Sequence, residues 1–321
     1  MSFTTTIKEE LCRIDNTKSE SISELSGFLR NNGDCDEYNI ELVTENATVA
    51  KRIYKLIKDV YDVTCEIETR KNLNFSKNNL YLIEINEKVD FILKDLSILD
   101  ENDEILPEPG EYILDSEDLI RAYLRGAFLS KGSVNDPKTA RYHLEFLIEE
   151  RSEAEVISGL LNIFELNSKI IARDKGYMVY VKEAEKIGDF LRIVNANNAI
   201  LYYEDIRIYR DHKNMTNRLN NMEQANTDKV VATAAKQLEQ IEYLKENAAM
   251  DLLDDKTKEL IEYREKYPES SLTELAEIMS YETRKPITKS GINHRFRKMN
   301  ELVERMKANS NNWLSFLFVL V

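Results

Sequence analysis

The sequence predicts an α+β protein in which one unit is duplicated with pseudo-two-fold symmetry and followed by an all-α domain. Three observations carry that expectation. The order helix, strand, helix, strand, strand, helix occurs twice at a period of roughly a hundred residues, the mark of a duplication rather than a solenoid. Each copy opens on a helix interrupted by glycine, "LSGFLRNNG" over 25–33 and "LRGAFLSKG" over 124–132. From about Tyr203 onward strand signals stop and only helical patterns remain.

After the first glycine motif, "YNIELVTEN" alternates as a strand, and "ATVAKRIYKLIKDVY" sets Val49, Ile53, Leu56, Ile57 and Val60 on one helical face. "VTCEIET" and "NLYLIEI" read as a strand pair around the polar loop 70–79, and "VDFILKDLSIL" closes the unit as a helix. The acid-, Pro- and Gly-rich "DENDEILPEPGEY" is a connection. In the second copy Ser116 caps a helix with acids in its first turn. "ARYHLEFLIE" alternates, "SEAEVISGLLNIFEL" is amphipathic, and "NSKIIARDKGYMVYVK" makes two strands around Asp174-Lys175-Gly176. "EAEKIGDFLRIV" closes that copy. The expected domains are repeats at 1–110 and 111–208, a helical linker at 209–250, an all-α domain at 251–308 and an apolar tail at 309–321.

The 321 residues allow two or three domains, and 42% hydrophobic with 32% charged residues is an ordinary globular composition. A formal net charge of −14 argues against nucleic-acid binding through the whole surface. Cys12, Cys35 and Cys65 are odd in number and lack CxxC spacing, which fits a reducing compartment and disfavours zinc or a disulfide framework. His143, His212 and His294 are far apart without carboxylate or cysteine spacing, and "SKGS" lacks the lead-in of a phosphate loop, so no metal or cofactor is expected. No charged start precedes an apolar run at the N-terminus, and "WLSFLFVLV" is less than half of the about 20 residues a membrane span needs. A soluble, cytoplasmic protein is the expectation.

The helices near the end carry the clearest chemistry. Ser271 with Glu274 forms a capping-box signature ahead of the stripe Leu272, Leu275, Ala276 and Met279. Ser290 is the expected cap of a second helix with the stripe Ile292, Phe296, Met299, Leu302 and Val303. A short capped helix, a turn and a second helix with a basic open face is the helix-turn-helix plan. From Arg284 to Lys307 there are eight Lys or Arg and two Glu, a local excess against the acidic whole. Candidate contacts to double-stranded DNA are Thr273, Arg284, Lys285, Thr288, Lys289, Ser290, Asn293, His294, Arg295, Arg297 and Lys298. Arg and Asn can hold base edges with two hydrogen bonds, while Lys289 and the helix-start amides suit phosphates.

The glycine motifs share the frame L-x-G-φ-φ-x-x-x-G, where φ is apolar, which resembles the LAGLIDADG motif of homing endonucleases. The resemblance implies that Gly27 and Gly126 let two helices pack closely, that Gly33 and Gly132 end them, and that two saddle-shaped sheets follow. It also implies a metal-binding carboxylate just before each final glycine. Asn32 and Lys131 stand there instead; an amide binds a hard cation weakly and an ammonium repels it. The nuclease site is therefore expected to be absent.

A degenerate LAGLIDADG pair followed by a helical linker and a helix-turn-helix resembles the WhiA family, through "RGAFLSKGSVNDP", "NRLNNMEQANTDK" and "SGINHRFRKMNEL". The resemblance implies a non-catalytic, sequence-specific DNA-binding regulator tied to sporulation, cell division and chromosome segregation. Two alternatives stay open. One is a nuclease with a displaced metal site built from Asp34, Asp36 or Asp136; the other is a scaffold binding RNA polymerase or another regulator.

Overall fold

The computed structural model describes residues 2–35, 38–71, 79–139 and 141–318. Along the chain run α1 (Phe3–Leu11), α2 (Lys18–Leu29), β1 (Gly33–Cys35), β2 (Ile40–Thr44), α3 (Ala47–Tyr61), β3 (Glu66–Lys71), β4 (Asn79–Ile85) and α4 (Val89–Asp95). There follow α5 (Glu111–Leu114), α6 (Glu117–Lys131), β5 (Gly132–Val134), β6 (Leu144–Ile148), α7 (Arg151–Ile163), β7 (Lys169–Arg173), β8 (Gly176–Val181) and α8 (Ala184–Ile193). The remainder is helical: α9 (Asn197–Glu246), α10 (Asp255–Lys266), α11 (Leu272–Thr283) and α12 (Lys289–Phe318). The chain divides into two compact units, Met1–Asp211 and His212–Val321.

In the first unit the two repeats form antiparallel four-stranded sheets of matching order, β1-β2-β4-β3 and β5-β6-β8-β7. The duplication holds, but each repeat has one more strand than the alternation suggests. β1 and β5 have three residues each and follow the motif helix directly, too short for a period of two to register. The loop expected at 70–79 and the end of the apolar tail lie largely outside the described residues.

Capping explains the helix starts. Thr17 and Glu20 form a capping box at α2, Asn46 Oδ1 accepts from Thr48 N and Val49 N at α3, and Ser116 Oγ accepts from Leu119 N at α6. One sheet buries Ile40, Leu42, Ile83 and Ile85; the other buries Leu144, Phe146, Ile148, Val179 and Val181. Between them lie the motif helices, with Leu25, Phe28, Tyr123, Leu124, Ala127 and Phe128 all inaccessible to solvent. The hairpin joining β7 to β8 closes at Gly176, whose φ of +112 suits glycine alone.

Two buried ionic knots tie the repeats together. Glu24 on α2 accepts from Arg52 Nε at 2.9 Å, Arg52 Nη2 at 3.0 Å and Arg125 Nε at 2.9 Å. Glu153 on α7 accepts from Arg30 Nε at 3.0 Å, Asn31 Nδ2 at 3.0 Å and Tyr123 Oη at 2.6 Å. Charges held by several donors are tolerated inside; removing one partner would leave the other unpaired and buried. In the second unit, Ile241 and Leu244 from the end of α9 pack with Leu260 and Ile261 of α10, Leu275 and Met279 of α11, and Ile292, Phe296, Met299 and Val303 of α12.

Candidate nucleic-acid interface

α11 opens on a reciprocal capping box: Ser271 N donates to Glu274 Oε2 at 2.7 Å, and Ser271 Oγ accepts from Glu274 N at 3.2 Å. The helix ends at Arg284, which adopts the left-handed conformation with φ 55. The turn is tied back to α11 through Ser280, whose Oγ donates to Ile287 O at 3.1 Å and accepts from Ile287 N at 2.9 Å. The cap of α12 is Thr288 rather than Ser290. Thr288 Oγ1 accepts from Gly291 N at 3.2 Å and its carbonyl from Ile292 N at 3.0 Å, while Ser290 sits in the first turn. Ile287 decides this: packed against the core, it leaves Thr288 as the last residue before the helix.

On α12 the buried residues Ile292, Phe296, Met299 and Val303 face inward. Lys289, Ser290, Asn293, His294, Arg297 and Lys298 are exposed, as are Thr273 on α11 and Arg284, Lys285 and Thr288 in the turn. Arg297 Nη2 lies 3.3 Å from His294 Nδ1 and its Nε 3.9 Å from Glu301, which leaves the guanidinium at the surface. Arg295 differs from the expectation. It is half-buried, and its Nη1 donates to Lys256 O at 3.2 Å at the start of α10. A second arginine matters here that the sequence does not reveal. Arg264 is 1% exposed, donates to Ser270 O at 2.6 Å, and lies 5.6 Å from the Phe296 ring centroid. Burial pushes its pKa below the usual value. It holds the α10–α11 loop against α12 through backbone carbonyls, partners that no sequence spacing announces.

The motif helices present a different surface. A Cβ on Gly27 would lie 2.3 Å from Tyr123 O, and one on Gly126 would lie 2.0 Å from Glu24 O, so α2 and α6 are in backbone contact there. Gly132 caps α6 in extended backbone (φ −79), and Gly33 opens β1. Neither is left-handed; a side chain would instead strike Phe128 or Leu29 of the preceding turn.

Asn32 and Lys131 line one cleft of ≈ 1000 Å³ together with Lys8, Ser130 and Glu45. Asn32 Oδ1 accepts from Val43 N at 2.8 Å, and Lys131 Nζ is 3.4 Å from Glu149 Oε1. Lys8, from α1 ahead of the first motif helix, donates to Ser130 O at 3.3 Å; burial pushes its pKa down to about 8. Asp34 borders the neighbouring cleft with Glu149 and Glu150. Asp136 lies in the loop after β5, accepting from Lys138 N at 2.9 Å, and Asp36 lies outside the described residues. Among the described residues no three His, Cys, Asp or Glu side chains are grouped to hold a metal ion.

Strand register sorts the open sheet faces by charge. Asp34 pairs with Glu41, Glu41 with Glu84, and Glu84 with Glu66. Directly opposed residues share a face, so four carboxylates stand in one row across the first sheet. Such a row destabilises itself by like-charge opposition and repels phosphate. The equivalent row of the second sheet is Ser133, Glu145, Tyr180 and Lys169. There His143 Nε2 meets Glu145 Oε2 at 3.0 Å, and Lys182 Nζ lies 4.6 Å from the centroid of the Tyr180 ring.

Comparison with known proteins agrees with this architecture. The profile of the WhiA N-terminal LAGLIDADG-like domain matches residues 18–99, that of the WhiA LAGLIDADG-like domain 120–213, and that of the WhiA C-terminal HTH domain 216–303. Probable cell division proteins WhiA from Bacillus mycoides (strain KBAB4) and Bacillus cereus (strain G9842) are each 43% identical over 312 residues. That match covers 96% of this chain and 98% of each relative. The crystal structure of full-length DUF199/WhiA from Thermatoga maritima is similar with a TM-score of 0.58 at 25% identity, covering 95% of this chain and 99% of that one.

Proposed function

The chain belongs to the WhiA family, and from that premise we propose that it is a non-catalytic, sequence-specific DNA-binding regulator of transcription that acts in cell division and chromosome segregation, or in sporulation-type development. The observation that carries this reading is the basic face of α12, held out by a capped α11 and a pinned turn. In it Arg297 and Asn293 read base edges in the major groove, and Lys285, Lys289 and Lys298 contact phosphates with the amides at the start of α12. Arg295 acts through its bond to Lys256 O, positioning α12 on α10. The family's names support the division role, since the Bacillus relatives are described as probable cell division proteins.

The LAGLIDADG-like unit serves as a folded platform, with an amide and an ammonium where hydrolysis needs two metal-binding carboxylates. Its acidic sheet face suits a protein partner, such as RNA polymerase or another regulator, better than DNA. The protein acts at the nucleoid, in the cytoplasm.

Duplex DNA with magnesium or manganese tests the reading. Bound, uncut DNA is expected; turnover that disappears in Asp34→Ala would contradict it. Arg297→Ala is expected to weaken binding by about 1–3 kcal/mol and relax sequence preference.

A further inference from the structure

We propose that α9 pairs with α9 of a second copy of this chain, as a parallel, in-register two-stranded coiled coil over residues 208–226. Every residue from 211 to 229 is exposed, so more than five turns of this helix rest on nothing (about 3.6 residues per turn). Propensity alone supports such a stretch poorly, and helices of this kind take their stability from a packed face. A face of that kind is present. Ile208 is 62% exposed, Met215 64%, Leu219 47% and Met222 56%. Together with His212 and Asn226 these residues step along α9 by alternating fours and threes, the spacing of a narrow coiled-coil seam.

The polar members of the seam choose the partner and its direction. In a parallel pair Asn226 meets Asn226 of the second copy, and a lone seam asparagine of this kind favours two in-register strands. Flanking the seam, Arg218 then faces Glu223 of the other copy, an opposite-charge pair made twice by symmetry. Antiparallel alignments fare worse. One sets Asn226 against Ile208 and Arg218 beside its own copy, and the next sets Met222 against Asp205. Beyond residue 226, Lys229 falls on the seam and ends it. Given the DNA reading above, such a pair presents two copies of α12 to two half-sites; the pairing itself does not depend on that reading.

Sedimentation equilibrium of the full chain tests the proposal. The expected mass is twice the 37.4 kDa of one chain. Met215→Glu with Leu219→Glu should return it to that of one chain and abolish the rise of thermal unfolding temperature with chain concentration that pairing confers. Arg218→Glu should weaken pairing about tenfold, and adding Glu223→Arg should restore it. A single-chain mass throughout the micromolar range would overturn the proposal. So would a dimer that survives the Met215→Glu, Leu219→Glu change, or a charge swap that fails to rescue.

Discussion

Residue by residue, the motif helices show how a small side chain and a buried charge share one contact. Gly27 and Gly126 are legible as close-approach positions, because a helix interior does not accept glycine without a reason. A Cβ at 126 has no room at 2.0 Å from a backbone oxygen, whereas one at Gly159, in the interior of α7, meets nothing within 4 Å. Gly126→Ala is therefore expected to cost about 1–3 kcal/mol or more in urea unfolding, and Gly159→Ala to gain about 0.5–1 kcal/mol. The ionic knots are not legible, since Glu24 and Arg125 are far apart in sequence and only the fold joins them. Burial pushes the Glu24 carboxyl up, but the hydrogen bonds and charges of Arg52 and Arg125 outweigh it and hold its pKa below the usual 4.5. Its contribution is thus complete above that value and is lost as pH falls through the lowered one. Glu24→Gln should cost about 3–5 kcal/mol near neutral pH, and the gap from wild type should close in urea titrations at pH values well below 4.5.

At the scale of elements, helices are legible where caps and stripes coincide, as at Ser116 and Ser271. Expectation and structure part where two signals compete within a few residues. Thr288 and Ser290 can each cap a helix, and the packing of Ile287 settles between them. β1 and β5 escape the sequence because three residues carry no pattern, yet they supply the edge of each sheet. The pattern of α9 shows helix over most of a linker, and the helix runs from Asn197 to Glu246. The cap matters for function, because Thr288 sets where α12 begins and so which amides face outward. Thr288→Ala is expected to lower the stability of the second unit by about 1 kcal/mol, visible in its thermal unfolding.

For the whole molecule, the net charge of −14 is unevenly placed. Strand register aligns Asp34, Glu41, Glu84 and Glu66 on one open sheet face, while the turn before α12 and its first turns carry a local cluster of exposed cations. Sequence alone shows the basic cluster, which is local, but not the acidic row, whose members are joined only by pairing. On this account the LAGLIDADG-like fold is kept with a sheet face that repels phosphate, and recognition falls to the second unit.

Fluorescence anisotropy with a duplex carrying a bound site tests that division of labour most directly, read as affinity against salt concentration. Arg297→Ala with Lys298→Ala should weaken binding and lower the salt slope by about 1 for each phosphate no longer neutralised. Lys169→Ala with Arg173→Ala, on the second sheet, should change neither. A flattened slope in the sheet variant with full binding in the α12 variant would contradict the account.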